Sequence, residues 1–162
     1  MEVLFTPWRA AYLSGGGVKE GDCLFCELPK HEDDEALVVH RGGSVYAVLN
    51  RYPYTNGHVM LAPFAHRAGL SEMTPDERHE LADLAARFET ILRDTYRPHG
   101  FNAGLNLGRS AGAGVEHHAH LHIVPRWDGD TNFLTVLGGT RTIPEDLPTT
   151  RARLAAAFAR AS

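Results

Sequence analysis

Two spacings of apolar side chains organise the chain. Between Thr74 and Arg97 they recur at Leu81, Leu84, Phe88, Leu92 and Tyr96, which predicts one long helix with a single buried stripe. Its start is marked by Thr74-Pro75-Asp76-Glu77, where Thr74 can cap the Glu77 amide, Pro75 suits the first turn, and the carboxylates face the positive end of the dipole. Arg97-Pro98-His99-Gly100 ends it. Elsewhere the runs are short and β-branched or apolar. Ala36 to Val39, Val45 to Leu49 and His58 to Leu61, separated by Arg41-Gly42-Gly43 and by the Pro53 to Gly57 turn segment, predict three strands of an antiparallel meander. Phe101 to Leu107 and His118 to Pro125 predict two more, joined by a loop containing Gly108, Gly112 and Gly114. A last helix is expected from Pro148 to Ala161, and residues 14–22 form a glycine-rich lead-in. No internal repeat is found. The expected fold class is α+β, an antiparallel sheet of about five strands carrying one long helix and a C-terminal helix.

Length and composition allow a shaped pocket in this fold. A chain of 162 residues, 43% of them apolar, suits one domain: an N-terminal arm over 1–22, a core over 23–139, and an extension with the last helix over 140–162. Net charge is −4 and no Lys/Arg-rich run occurs, which argues against nucleic-acid binding. No apolar run approaches a membrane span, and Met1 to Leu13 contain Pro7, Trp8 and Arg9 where a signal peptide would be uniformly apolar, so a cytoplasmic protein without a membrane partner is expected.

The chemistry lies in the histidines. Of the ten in the chain, four fall between His117 and His122. In His118-Ala119-His120-Leu121-His122 the two-residue period of a strand puts three imidazoles on one face. An accidental amphipathic strand and a three-histidine metal site are the competing readings. Same-face rings stand about 6.6 Å apart along a strand, so closing all three on one ion requires bending. A neutral imidazole is a nucleophile at physiological pH, because its ordinary pKa is about 6.5. His120, in the middle, is placed to attack phosphorus, with its neighbours and the loop amides stabilising the transition state. Cys23 and Cys26 form a single C-x-x-C, half of a zinc site or a reduced or redox-active thiol pair.

The alternation resembles the signature of the histidine-triad nucleotide-binding superfamily. Asn50-Arg51-Tyr52-Pro53-Tyr54-Thr55-Asn56-Gly57-His58 is similar to its asparagine, proline and Gly-His segment, and Asn106-Leu107-Gly108 with Ala111-Gly112-Ala113-Gly114 to its phosphate-contacting loop. Pro125-Arg126-Trp127, with Asp130-Thr131-Asn132-Phe133, resembles bacterial members of the fragile-histidine-triad branch. The likeness runs from about Pro7 to Gly139. It implies cleavage of dinucleoside polyphosphates such as diadenosine tetraphosphate through a nucleotidyl-histidine intermediate, with water or phosphate as acceptor. His120 is then the nucleophile, assisted by His122 and His118. His122 and His58 contact phosphates, Asn50 the ribose, Asn106 a phosphate or leaving group, and Gly112, Ala113 and Gly114 the phosphates, while Trp127 is a candidate wall for a base. A purine nucleotide partner and a homodimer with joined sheets are also implied.

One departure stands out. Many members carry Gln followed by Ser or Thr before the valine that leads into the triad, where this chain has Ala113, Gly114 and Val115 with an extra residue following. The missing hydroxyl disfavours adenosine phosphoramidates, a second substrate class that the resemblance implies, although Ser110 is a substitute earlier in the loop. The same motif is also compatible with a nucleotide sensor that lacks turnover and with a repair hydrolase acting on adenylated DNA ends. Some bacterial relatives join the cysteine pair to two histidines, which implies a structural zinc held by Cys23, Cys26, His66 and His118. His117 is a rival ligand expected on the opposite face. His31, His40, His79 and His99 are assigned nothing, and Glu32 to Glu35 are expected as solvated turns.

Overall fold

The sheet is built on the predicted alternation. Five strands, β1 (Val38–Arg41), β2 (Val45–Leu49), β3 (Val59–Pro63), β4 (Gly100–Leu105) and β5 (Leu121–Arg126), pair antiparallel in the order β1-β2-β3-β5-β4. This is a computed structural model, and it describes residues 23–131 and 142–161. The glycine-rich lead-in, Trp8 and Asn132-Phe133 lie outside the described residues.

The register sorts the side chains. His122 lies across from Met60 and Gly104, and Met60 from Val48, so these residues share one face. Leu121, Ile123 and Pro125 face the other way, with Leu61, Val59, Ala103 and Phe101 opposite them. That second face carries the long helix, whose Arg93 guanidinium lies 5.2 Å over the Phe101 ring. The helix spans Pro75–Tyr96 as predicted, after two single-turn helices at Leu24–Glu27 (α1) and Asp33–Ala36 (α2), and so is α3. Its capping box is complete, with Thr74 accepting from the Glu77 amide and the Glu77 carboxylate accepting from the Thr74 amide. Leu81, Leu84, Phe88, Ile91 and Leu92 are its buried stripe. The last helix, α4 (Leu147–Arg160), stacks Phe158 against His40 at 3.9 Å and sets it 5.2 Å from Phe88.

Several boundaries differ from the sequence expectation. Strand β5 begins at Leu121, because the Ala119 amide turns to the Arg67 carbonyl (2.6 Å) and leaves the ladder. His118 and His120 therefore lie on the lead-in to the strand. The acidic run expected as solvated turns forms α2 over Asp33–Ala36. Arg41 holds Asp33 at 2.7 Å, and Arg151 of α4 pairs with Asp34. Among the described residues, no helix is long and apolar enough to cross a membrane.

Candidate active site

The open face of the sheet, opposite α3, collects the histidines. His120 is 6% exposed, and its Nδ1 donates to the His118 carbonyl at 2.8 Å. A carbonyl only accepts, so this bond places the proton on Nδ1 and leaves Nε2 with its lone pair. Burial holds the His120 pKa below its ordinary value, against the upward pull of the His118 bond. At neutral pH the ring is uncharged.

His58 and His122 are ordered by the same logic. The Tyr54 amide donates to His58 Nδ1 at 3.1 Å, which places the His58 proton on Nε2. His58 Nε2 lies 2.9 Å from His122 Nδ1, so His122 accepts there and keeps its own proton on Nε2 as a donor. The His122 ring meets the His120 ring edge-on, with centroids 4.8 Å apart. His58 is buried, and burial, followed by the charges of His122 and His120, pushes its pKa down to about 3. It stands directly beside His122, with 1% of its surface exposed.

His118 is not directed toward these rings as a third member of a catalytic trio. Its Nε2 donates to the Pro63 carbonyl at 2.9 Å, and its Nδ1 faces Cys23 Sγ at 3.2 Å and Cys26 Sγ at 3.5 Å. With both ring nitrogens engaged, it contributes its backbone carbonyl to the site. His66 Nδ1 stands 3.3 Å from Cys26 Sγ, and one donor atom from each of Cys23, Cys26, His66 and His118 lies within 4.8 Å of the others. His117 is exposed and lies outside the cluster. Four ligands on a tetrahedral zinc stand about 3.3 to 3.8 Å apart given its bond lengths, so the residues fit that ion. Burial and the neighbouring Cys23 thiol push the Cys26 thiol up to about 11, so a cation is needed to hold Cys26 as a thiolate at neutral pH.

The remaining expected residues surround this core. Asn50 is half-buried, its Oδ1 accepting from the Tyr52 amide at 2.9 Å and its Nδ2 standing 3.5 Å from His58 Nδ1. The loop after β4 winds through a single 3-10 turn, Arg109–Ala111, closed at both ends by glycines of positive φ, Gly108 (+81°) and Gly112 (+84°). Only glycine takes that conformation without strain. Ser110 is exposed in the turn, Gly112 and Gly114 are exposed, and Ala113 is buried. A cavity of about 680 Å³ opens beside the histidines, and among its walls are His122, Asn106, Trp127, Tyr54, Asn102 and Arg126. His120, Asn50 and the Gly112–Gly114 loop do not line it.

Two functional candidates escaped the sequence. Phe25, in the C-x-x-C spacer, stacks on His120 with centroids 4.4 Å apart and planes 28° apart, and Tyr54 supplies the amide that orients His58. An aromatic residue between two potential ligands was the available signal for Phe25.

The chain is similar to known proteins in sequence and fold. The family model described as HIT domain matches residues 31–129. The AP-4-A phosphorylase of Mycobacterium tuberculosis is 44% identical over 167 residues, covering 99% of this chain and 86% of that protein. A zinc-bound histidine triad family protein from Mycobacterium smegmatis superposes with a TM-score of 0.70 at 26% identity, over 86% of this chain and 95% of that one. Plasmodium falciparum diadenosine triphosphate hydrolase gives 0.61 at 17% identity over 93% and 91%, a likeness of fold alone.

Proposed function

Because this chain belongs to the histidine-triad (HIT domain) family, we propose that it splits dinucleoside polyphosphates, such as diadenosine tetraphosphate, through a nucleotide bound covalently to His120. The observation that carries this reading is the Nδ1–H bond to the His118 carbonyl, which leaves Nε2 as a neutral nucleophile. Nε2 attacks the α-phosphorus, the N–P bond forms, and the P–O bond to the leaving ATP breaks. The His122 Nε2–H donates to a phosphate oxygen as charge builds there. A second acceptor then takes the AMP group from nitrogen and restores the imidazole.

Inorganic phosphate is the acceptor favoured by the M. tuberculosis relative, named as a phosphorylase. ADP and ATP are then the products. Asn50 contacts the ribose of the transferred nucleotide. The cavity beside His122 receives the leaving half, where Asn106 meets its phosphates and Trp127 offers its base a flat apolar wall.

A structural zinc belongs to the same reading. Cys23, Cys26, His66 and His118 would hold it, and with four protein ligands it would tie α1 to the catalytic lead-in and leave no open position for substrate. The Pro63 carbonyl holds His118 in the tautomer whose Nδ1 can ligate. The outer edge of β4, paired on its inner side with β5, is where a second copy would join the two sheets. The setting is the cytoplasm.

Wild-type protein and His120→Ala, incubated with diadenosine tetraphosphate with and without phosphate, test the reaction. Product chromatography is expected to give ADP and ATP in phosphate for the wild type and neither for the variant. AMP with ATP indicates water as acceptor, and equal rates for the two proteins remove the covalent route.

A further inference from the structure

The ring that holds His120 comes from the cysteine segment. One hydrogen bond at Nδ1 fixes a point on the imidazole but lets the ring swing about that contact. A flat group packed on its face removes the swing. Phe25 packs there, 4.4 Å between centroids, and also stands 5.4 Å from the His118 ring.

Phe25 is itself immobile. It is 1% exposed, its carbonyl accepts the Tyr46 hydroxyl at 2.7 Å, and its chain neighbours Cys23 and Cys26 close on His118 and His66. An ordinary core phenylalanine fills space among aliphatic chains, whereas this one lies between two imidazoles with its backbone pinned on both sides. Resting on the reading of His120 as nucleophile, we propose that Phe25 is a positioning residue. Its ring holds the imidazole in the one orientation that joins Nδ1 to the His118 carbonyl and leaves Nε2 for phosphorus. The residue touches no substrate. Its effect falls on the alignment needed for attack, a step where small displacements carry large rate penalties.

Phe25→Leu keeps the apolar volume and loses the flat face. With diadenosine tetraphosphate as substrate, kcat is expected to fall by about tenfold or more while KM stays within about twofold. Nitrogen-15 spectra of the labelled ring, assigned with His120→Ala, are expected to change from a single Nδ1–H tautomer to an exchanging mixture. Tyr46→Phe removes the hydroxyl on the Phe25 carbonyl but not the ring, and is expected to lower kcat in the same direction by less. A Phe25→Leu protein with wild-type kcat and an unchanged His120 spectrum overturns the proposal. If that variant does not fold, a Tyr46→Phe protein with unaltered kcat and spectrum overturns it equally. Turnover surviving in His120→Ala sinks the nucleophile reading by itself, and the ring spectrum still reports whether Phe25 sets the imidazole.

Discussion

Nε2 of His58 lies 2.9 Å from Nδ1 of His122, and the direction of that hydrogen bond is imposed from outside the pair by the Tyr54 amide. An amide can only donate, so the proton order runs outward from the backbone to His58, then to His122, and ends on the His122 Nε2. On the other side the His118 carbonyl imposes the opposite order on His120. Two neighbouring imidazoles thereby take opposite tautomers, His122 with its proton on Nε2 and His120 with its proton on Nδ1.

That relay makes His58 matter without touching substrate. In His58→Ala the His122 Nδ1 loses the His58 Nε2–H, and its Nε2 is no longer held as a donor by that bond. The expected outcome is a fall in kcat by about a hundredfold, the scale for losing one preorganised donor, with KM little changed. Steady-state kinetics on diadenosine tetraphosphate measure this. A kcat within about twofold of wild type would show that His122 is oriented by something else.

Acid sensitivity follows from the same burial. The folded pKa of His58 is near 3 against an ordinary 6.5, so below the upper value the unfolded chain binds a proton there that the folded chain refuses. Stability from this residue is therefore intact above 6.5 and declines as pH falls toward 3, at up to about 1.4 kcal/mol per pH unit. The downward shift of His120 has the same sign. Thermal melts between about pH 7.5 and 5 are expected to fall steeply for the wild type and less steeply for His58→Phe. Parallel slopes would remove His58 from the explanation.

The cysteine cluster predicts a metal dependence that is structural. Purified protein is expected to carry roughly one zinc per chain, and Cys23→Ser to carry much less. Stripping the ion with a chelator is expected to lower the melting temperature, because His118 and α1 lose their common anchor. Elemental analysis and melting curves check both. Full zinc in Cys23→Ser would exclude the cysteine from the ligand set.

Much of this was legible because the informative patterns are local. The Thr74 capping signal and the 81–96 stripe gave α3 its limits, and the alternation at 118–122 marked the segment where His118, His120 and His122 lie. What stayed hidden depends on contacts between distant residues. The Glu80 carboxylate, for example, accepts from the Gly43, Ser44 and Val45 amides and from the Ser44 hydroxyl, closing the β1–β2 turn from a helix some way along the chain. Periodicity placed three imidazoles on one face, but not the Pro63 carbonyl that claims His118 or the Arg67 carbonyl that ends the strand at Leu121. The stacking of Phe25 on His120 and the Tyr54 amide bond to His58 were hidden for the same reason, since one joins distant residues and the other depends on a backbone amide.

In the proposed reaction the cavity beside His122 receives the leaving half of the substrate. Trp127 is one of its walls, while His120, His58 and Asn50 are not, so Trp127→Ala removes area from the leaving half alone. Arg126, its neighbour, is held by Asp130 at 2.6 Å and by Asn102 at 2.7 Å, which keeps the wall in place independently of the indole. Stacking a base on an aromatic ring contributes about 1 to 3 kcal/mol, or a factor of roughly 5 to 150 in binding. Trp127→Ala is accordingly expected to raise KM for diadenosine tetraphosphate by about tenfold. The KM for an adenosine phosphoramidate, whose leaving group has no base, is expected to stay nearly constant. Equal increases for both substrates would place Trp127 against the transferred nucleotide and assign the cavity to that half.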